Sequence, residues 1–440
     1  MNPVSFIETK RDGLSNEPAQ IREFVRLVTL GNLADYQISA WLMAVFFTGL
    51  SEEENRVFTE ALSESGRKVK FPERFFAVDK HSTGGVGDKT TLVVVPLAAA
   101  CGVPVAKLSG RGLGFTGGTI DKLESIPGFR SRLDMKSFMN QVEDIGCAVS
   151  GHSGELAPAE ARFYELRDVT GTVPCIPLIT SSIVSKKLAG GSSAFVFDVK
   201  CGNGAFMQDI ASARILARQL VTLSSSLGRA AMALITDMSQ PLGKWVGNSA
   251  EVMEAIEVLK GRGPSDTRIL SIKLAGAMLF LGCKSDTPLH GEETAKKALD
   301  SGEGFAMFQK MVKAQGGDLD AFIDERSGPM RFAPSVHDVR VSEDGWINRC
   351  DAKTIGEVVR LLDGGRLTRE QEIDKTVCCE LLAKKGDRIA RGDIVARLYC
   401  QKNDSRSEEA LVRLSGAFCV GDKTQPGDIV IDTEGPVFPE

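Results

Sequence analysis

A chain of 440 residues, 42% of them hydrophobic, is long enough for two or three domains and apolar enough to bury a large core. A net charge of −5 argues against general nucleic-acid binding and leaves only a local basic pocket open. Ten scattered cysteines without a CxxC pair speak against a disulfide framework or a zinc site, and no apolar run approaches the ~20 residues of a membrane span.

The first residues lack a basic segment followed by an apolar one, so no signal peptide is read and a cytoplasmic setting is expected. Residues 1–66 read as helices. Ile21, Phe24, Val25 and Val28 recur at helical spacing after the start signal Asn16-Glu17-Pro18. Asp35–Thr48 is apolar on most faces and is expected to be buried in a core or against another subunit. Ser51 with Glu54 predicts a capped helix that ends near Gly66.

From Phe71 the texture changes. Strand-like segments 75–79, 103–108, 148–151, 194–199 and 231–236 alternate with helical ones, which predicts an α/β domain with a mixed, mostly parallel sheet and a ligand at the C-terminal ends of its strands. Residues 155–190 return to helix and read as the rest of the helical domain, inserted into the α/β domain with hinge segments near 67–72, 151–158 and 190–193. Past 335, short strands and the turn Lys385-Gly386-Asp387 suggest a C-terminal α+β module resembling a barrel-sandwich. The expected division is therefore 1–66 and 155–190 helical, 67–154 and 191–334 α/β, and 335–440 the module.

Two glycine-rich stretches stand at the centre of this plan. Asp79-Lys80-His81-Ser82-Thr83-Gly84-Gly85-Val86-Gly87-Asp88 follows the first strand, and Ser109-Gly110-Arg111-Gly112-Leu113-Gly114-Phe115-Thr116-Gly117-Gly118-Thr119 follows the second. Glycines let backbone N–H groups converge on an anion. Ser82, Thr90, Thr91, Ser109 and Thr119 add hydroxyls and Lys80 a charge, so the loops suit phosphate. Of four histidines only His81 lies in such a loop. No GxSxG, HExxH or Walker pattern is present, and phosphate therefore reads as a reactant rather than as part of a nucleoside triphosphate.

These stretches resemble the two signatures of the thymidine phosphorylase and pyrimidine nucleoside phosphorylase family, and the resemblance runs from Lys10-Arg11-Asp12-Gly13 to Lys385-Gly386-Asp387. It implies a small helical domain and a large α/β domain with a cleft between them, a homodimer through the helical domain, and reversible phosphorolysis of pyrimidine nucleosides to free base and pentose 1-phosphate. Orthophosphate is then the co-substrate and no organic cofactor is expected. Lys80, Ser82, Thr91, Ser109 and Thr119 match the family's phosphate ligands. Arg167, Ser182 and Lys186 match its pyrimidine ligands, while Lys107, Phe115 and Phe206 are assigned to the substrate side. His81, Arg167 and Lys186 are the expected catalytic residues. A potassium-like ion is implied at Gly87, Thr90, Leu242, Trp245 and Glu254.

Three positions depart from the family: Phe115 stands where His is usual, His152 where Gln is common, and Glu160 where Asp is found. Two rivals remain at this level. An anthranilate-type phosphoribosyltransferase shares the fold but needs a magnesium-binding acidic pair beside the loops. A non-catalytic nucleoside or phosphate binder would have little use for intact Lys80, His81, Arg167 and Lys186.

Overall fold

The computed structural model describes residues 1–72, 75–112, 114–115, 117–324, 331–368 and 371–439; Leu113 and Thr116 of the second glycine-rich stretch lie outside them. The chain opens with helices α1 (Pro3–Arg11), α2 (Pro18–Thr29), α3 (Asp35–Thr48) and α4 (Glu52–Glu64). Ser51 caps α4 by accepting from the Glu54 N–H, and the Glu54 carboxylate accepts from the Ser51 N–H at 2.8 Å. The same carboxylate meets the buried Lys10 ammonium at 2.8 Å, which ties α1 to α4. Trp41 of α3 lies fully buried among Phe6, Phe24, Phe58 and Phe163.

The α/β part follows: β1 (Val78–Ser82), α5 (Thr90–Ala100), β2 (Val105–Ser109), α6 (Thr119–Leu123), α7 (Met135–Ile145) and β3 (Cys147–Gly151). Helices α8 (Pro158–Thr170) and α9 (Ile176–Ala189) then return to the bundle, where Ala159, Phe163, Leu166, Cys175 and Leu178 join the core around Trp41. Next come β4 (Ala194–Cys201), α10 (Ile210–Ser226), β5 (Ala230–Asp237), β6 (Trp245–Val246) and α11 (Asn248–Leu259), with more helices to Ile323. The C-terminal strands are β7 (Ser335–Arg340), β8 (Gly345–Cys350), β9 (Cys378–Leu381), β10 (Arg388–Ile389), β11 (Ile394–Cys400), β12 (Phe418–Gly421) and β13 (Val430–Val437).

Strands β1, β4 and β5 run parallel, with Val78 opposite Ala194 and Ala194 opposite Ala230. A parallel pair, β2 with β3, sits beside β1, where the Val78 N–H donates to the Pro104 carbonyl at 2.9 Å. Every residue of β4 is buried, because helices cover both faces of a parallel sheet. The first strand begins three residues later than its apolar start suggests. It takes in the polar residues Asp79, Lys80 and His81; Asp79 pairs with Lys187 and Lys80 with Asp198 at the sheet's end.

The C-terminal stretch divides. Strands β10-β8-β12 and β6-β9-β11-β7 form two small sheets, the second of which borrows β6 from the α/β part. Strand β13 leaves the module and pairs antiparallel with β5, making the large sheet mixed. The segments expected as hinges meet here: the Arg67 N–H donates to the Glu155 carbonyl and the Val69 N–H to the carbonyl of Ala189, the last residue of α9, each at 2.8 Å. Gly191 there adopts φ +79° and a Cβ would stand 2.6 Å from the Val69 carbonyl, so only glycine fits without a shift.

Candidate active site

At the C-terminal ends of β1 and β2 a cavity of about 390 Å³ opens between the α/β part and helices α8 and α9. One wall carries Ser82, Thr91, Ser109 and Thr119; the other carries Arg167, Ser182 and Lys186; His81, Lys107 and Phe206 also line it.

The first glycine-rich loop is built around Asp88. Its carboxylate accepts from Ser82 Oγ and Thr90 Oγ1, each at 2.5 Å, and from the Thr90 N–H at the start of α5. Burial pushes the Asp88 carboxyl up, but the charges of Lys80, Lys200 and Lys122 and the Ser82 hydrogen bond outweigh it and hold the group well below its usual range. The α5 N-terminus adds the positive end of its dipole to this corner. Lys80 lies beneath the loop, fully buried: its ammonium donates to Thr90 Oγ1 at 2.5 Å and lies 3.4 Å from Asp198, which also pairs with Lys200 at 2.8 Å. Lys80 thus holds the loop from below, whereas Ser82 and Thr91 face the cavity.

The second loop hangs on Asp121 of α6, whose carboxylate accepts from the Gly112 N–H at 2.7 Å and pairs with Arg111 and Arg366. A Cβ on Gly118 would fall 2.0 Å from the Gly112 nitrogen, which fixes glycine at that crossing. Lys122 bridges the loops, donating to the Asp88 carbonyl and pairing with Glu251, both at 2.7 Å.

On the opposite wall, Ser182 and Lys186 are one helical turn apart on α9 and share the buried Glu160 of α8. Ser182 donates to one carboxylate oxygen and Lys186 meets the other at 2.7 Å. Arg167 donates to the carbonyls of Val173 at 2.7 Å, Leu178 at 3.0 Å and Thr172 at 3.4 Å, which fastens the turn between α8 and α9 and brings its guanidinium to the cavity.

A line of cations joins the walls. Asp79 takes Lys187 at 2.6 Å and Lys107 at 3.5 Å, and the Lys107 ammonium donates to the Lys80 carbonyl at 2.6 Å. Burial, then the neighbouring Lys187 and Lys80 charges, bring the Lys107 pKa well below its usual value against the pull of Asp79. His81 and His152, half-buried on the cavity's edge, are likewise well below the ordinary imidazole value: enclosure contributes most, followed by the surrounding lysines. Both rings are neutral at pH 7. Asp79, Asp88, Lys187 and Lys200 carry no site role in the sequence reading, and Glu160 stands there only as a departure from the family. The Asp-Lys-His run and the Lys186-Lys187 doublet were the available signals, since buried opposite charges at a phosphate loop must be paired.

Three expectations need correcting. Lys80, expected to bind phosphate, is fully buried beneath the loop and does not line the cavity. Phe115 does not line the large cavity. It packs partly buried against the core beside a small separate hollow with Gly114, Val246 and Val359, and its carbonyl lies where a Cβ on Gly356 would be, 2.4 Å away. The residues of the implied ion site do converge: the carbonyls of Leu242 and Trp245 and the carboxylate of Glu254 face one point, with Gly87 against Leu242. That point is filled by the Lys89 ammonium, and the Thr90 hydroxyl is spent on Lys80 and Asp88. The residues present do not fit a bound metal ion.

Comparison with known proteins agrees with this layout. The profile "Glycosyl transferase family, a/b domain" matches residues 75–305, the helical bundle domain of the same family matches 4–66, and "Pyrimidine nucleoside phosphorylase C-terminal domain" matches 346–418. The chain is 44% identical over 403 residues to a pyrimidine-nucleoside phosphorylase of Geobacillus stearothermophilus, covering 91% of this chain and 93% of that one. It is 41% identical over 425 residues to a pyrimidine-nucleoside phosphorylase of Staphylococcus aureus, covering 96% and 97%. Anthranilate phosphoribosyltransferase from Thermus thermophilus superposes with a TM-score of 0.58 at 18% identity, over 72% of this chain and 99% of that one, a likeness of fold alone. With a phosphate-loop wall facing a cationic helical wall, and with relatives of that identity over nearly its whole length, the chain belongs to the pyrimidine-nucleoside phosphorylase family.

Proposed function

We propose that the protein catalyses the reversible phosphorolysis of pyrimidine nucleosides, with orthophosphate as co-substrate and no organic cofactor. The observation that carries this is one cavity with Ser82, Thr91, Ser109 and Thr119 on one wall and Arg167, Ser182 and Lys186 on the other. Phosphate occupies the first wall and the pyrimidine the second, with the pentose between. A phosphate oxygen attacks the anomeric carbon, the glycosidic bond breaks through an oxocarbenium-like sugar, and the electron pair leaves with the base. Arg167 and Lys186 stabilise the charge that develops on the ring. His81 serves as a neutral hydrogen-bond donor to the base carbonyl; arrival of anionic phosphate offsets the lysine field and raises its pKa towards proton transfer.

The substrates proposed are uridine, deoxyuridine and thymidine, together with 2′-substituted uridines, because Lys107 at the cavity resembles the family members that accept ribonucleosides. A role in nucleoside salvage and a cytoplasmic setting go with this, supported by ten free thiols. We further read the enzyme as a homodimer through the helical domain. The test is incubation with uridine or thymidine, with and without phosphate. Free base and pentose 1-phosphate in equal amounts, only with phosphate, support the reading; base release without phosphate, or none at all, sinks it.

A further inference from the structure

Lys89 enters α5 as its N-cap residue, and its side chain is fully buried. The ammonium donates to the Leu242 carbonyl at 2.7 Å, to the Trp245 carbonyl at 2.9 Å and to the Glu254 carboxylate. Glu254, itself buried, also accepts from the Lys244 N–H at 2.8 Å and the Trp245 N–H at 3.2 Å, so the turn between β5 and α11 wraps one carboxylate and one ammonium. The turn is locked to the phosphate loop a second time, by the Leu242 N–H on the Val86 carbonyl at 3.1 Å.

We propose that the Lys89 ammonium is a built-in cation that does the work of a bound monovalent ion, fastening the phosphate loop to the 242–246 turn, and that the enzyme is therefore indifferent to potassium. An ammonium and a potassium ion make the same demand, a shell of oxygens in place of water. Two carbonyls of that turn and a carboxylate of α11 are such a shell. The cradle has no room for a second cation: a Cβ on Gly243 would already lie 2.8 Å from the Lys89 nitrogen and 2.3 Å from Glu254. Its charge is balanced too, one carboxylate against one ammonium, so an added ion would face a buried like charge. Lys89 is a positioning residue: it reaches the reaction through the loop that carries Asp88, Thr90 and Thr91.

The test compares the full-length protein in potassium chloride and in choline chloride at equal ionic strength, reading the thermal midpoint and the rate of phosphorolysis. Wild type gives the same midpoint and rate in both. Lys89→Ser opens a cation-sized space; in choline chloride its midpoint falls by roughly 5–10 °C, and potassium restores it with saturation. Lys89→Met, which fills the space without charge, melts low in both salts. A Lys89→Ser protein that holds together only while potassium is present counts as the expected result. A saturable potassium response in wild type overturns the proposal, and so does a Lys89→Ser protein that melts like wild type or that potassium does not restore. The melting readout stands whether or not the protein splits nucleosides, so its failure is separable from failure of the proposed reaction.

Discussion

His81 and His152 stand at the cavity's edge with lysines close by, and both have pKa values lowered by enclosure first and cationic neighbours second. Their unfolded value is about 6.5. Between the lowered folded value and that figure the unfolded chain binds more protons, so stability rises with pH across the window and is lost on acidification through about 6.5. The thermal midpoint should hold from pH 8 to 7 and fall from pH 7 to 5.5, with a shallower fall in His81→Asn; a flat wild-type profile would contradict the neutral assignment. Lys186 is held at Glu160 and is half-exposed to the cavity, so Lys186→Gln should cut kcat/KM by about 100-fold or more while moving the melting midpoint little. Near-normal turnover would sink its role. Arg167 is different, because its three carbonyl bonds fasten the turn between α8 and α9, and Arg167→Ala should lose activity and thermal stability together. Phe115 packs away from the large cavity. Relative rates on uridine, thymidine, 5-methyluridine and 2′-O-methyluridine should therefore be the same for wild type and Phe115→His, and a changed order would put that side chain back at the substrate.

Among the elements, α3 has two sides. Ile38, Trp41, Leu42 and Val45 are buried, while Tyr36 and Phe47 are 77% and 78% exposed and Met43 lies between them on the same stripe. A stripe of large exposed apolar side chains marks an interaction surface. Tyr36→Glu with Phe47→Glu should convert the proposed dimer into a monomer by sedimentation equilibrium with unchanged far-UV circular dichroism; a wild-type monomer at micromolar concentration would refute the proposed interface. The apolar run of α3, the Ser51–Glu54 cap of α4 and the alternation behind β1 to β5 could all be read from sequence, since each is written in local periodicity. The glycine loops were legible because few side chains fit such turns. Lys89 was not: a lysine after Gly-Asp reads as solvated, and only the fold brings the 242–246 carbonyls to it. Strand β13 was hidden for a similar reason. Its residues alternate weakly, include Gly435-Pro436, and acquire a partner only in β5.

In the whole molecule, one wall of the cavity belongs to the α/β part and the other to helices α8 and α9, and the connecting chain is bonded at Arg67–Glu155 and Val69–Ala189. Reactants split between such walls call for closure. Small-angle scattering should show a smaller radius of gyration with phosphate and a nucleoside analogue together than with either alone, and Gly191→Ala should weaken that response. Strand β13 also bears on how the protein is made. Thr236 of β5 waits for Val430, roughly 200 residues further along the chain. At 5–20 residues per second, translation leaves the edge of β5 bare for about 10–40 s. During that interval the emerging chain presents an open, apolar strand edge to other nascent chains. The ribosome-bound intermediate, more than the finished enzyme, is where chaperones have something to hold.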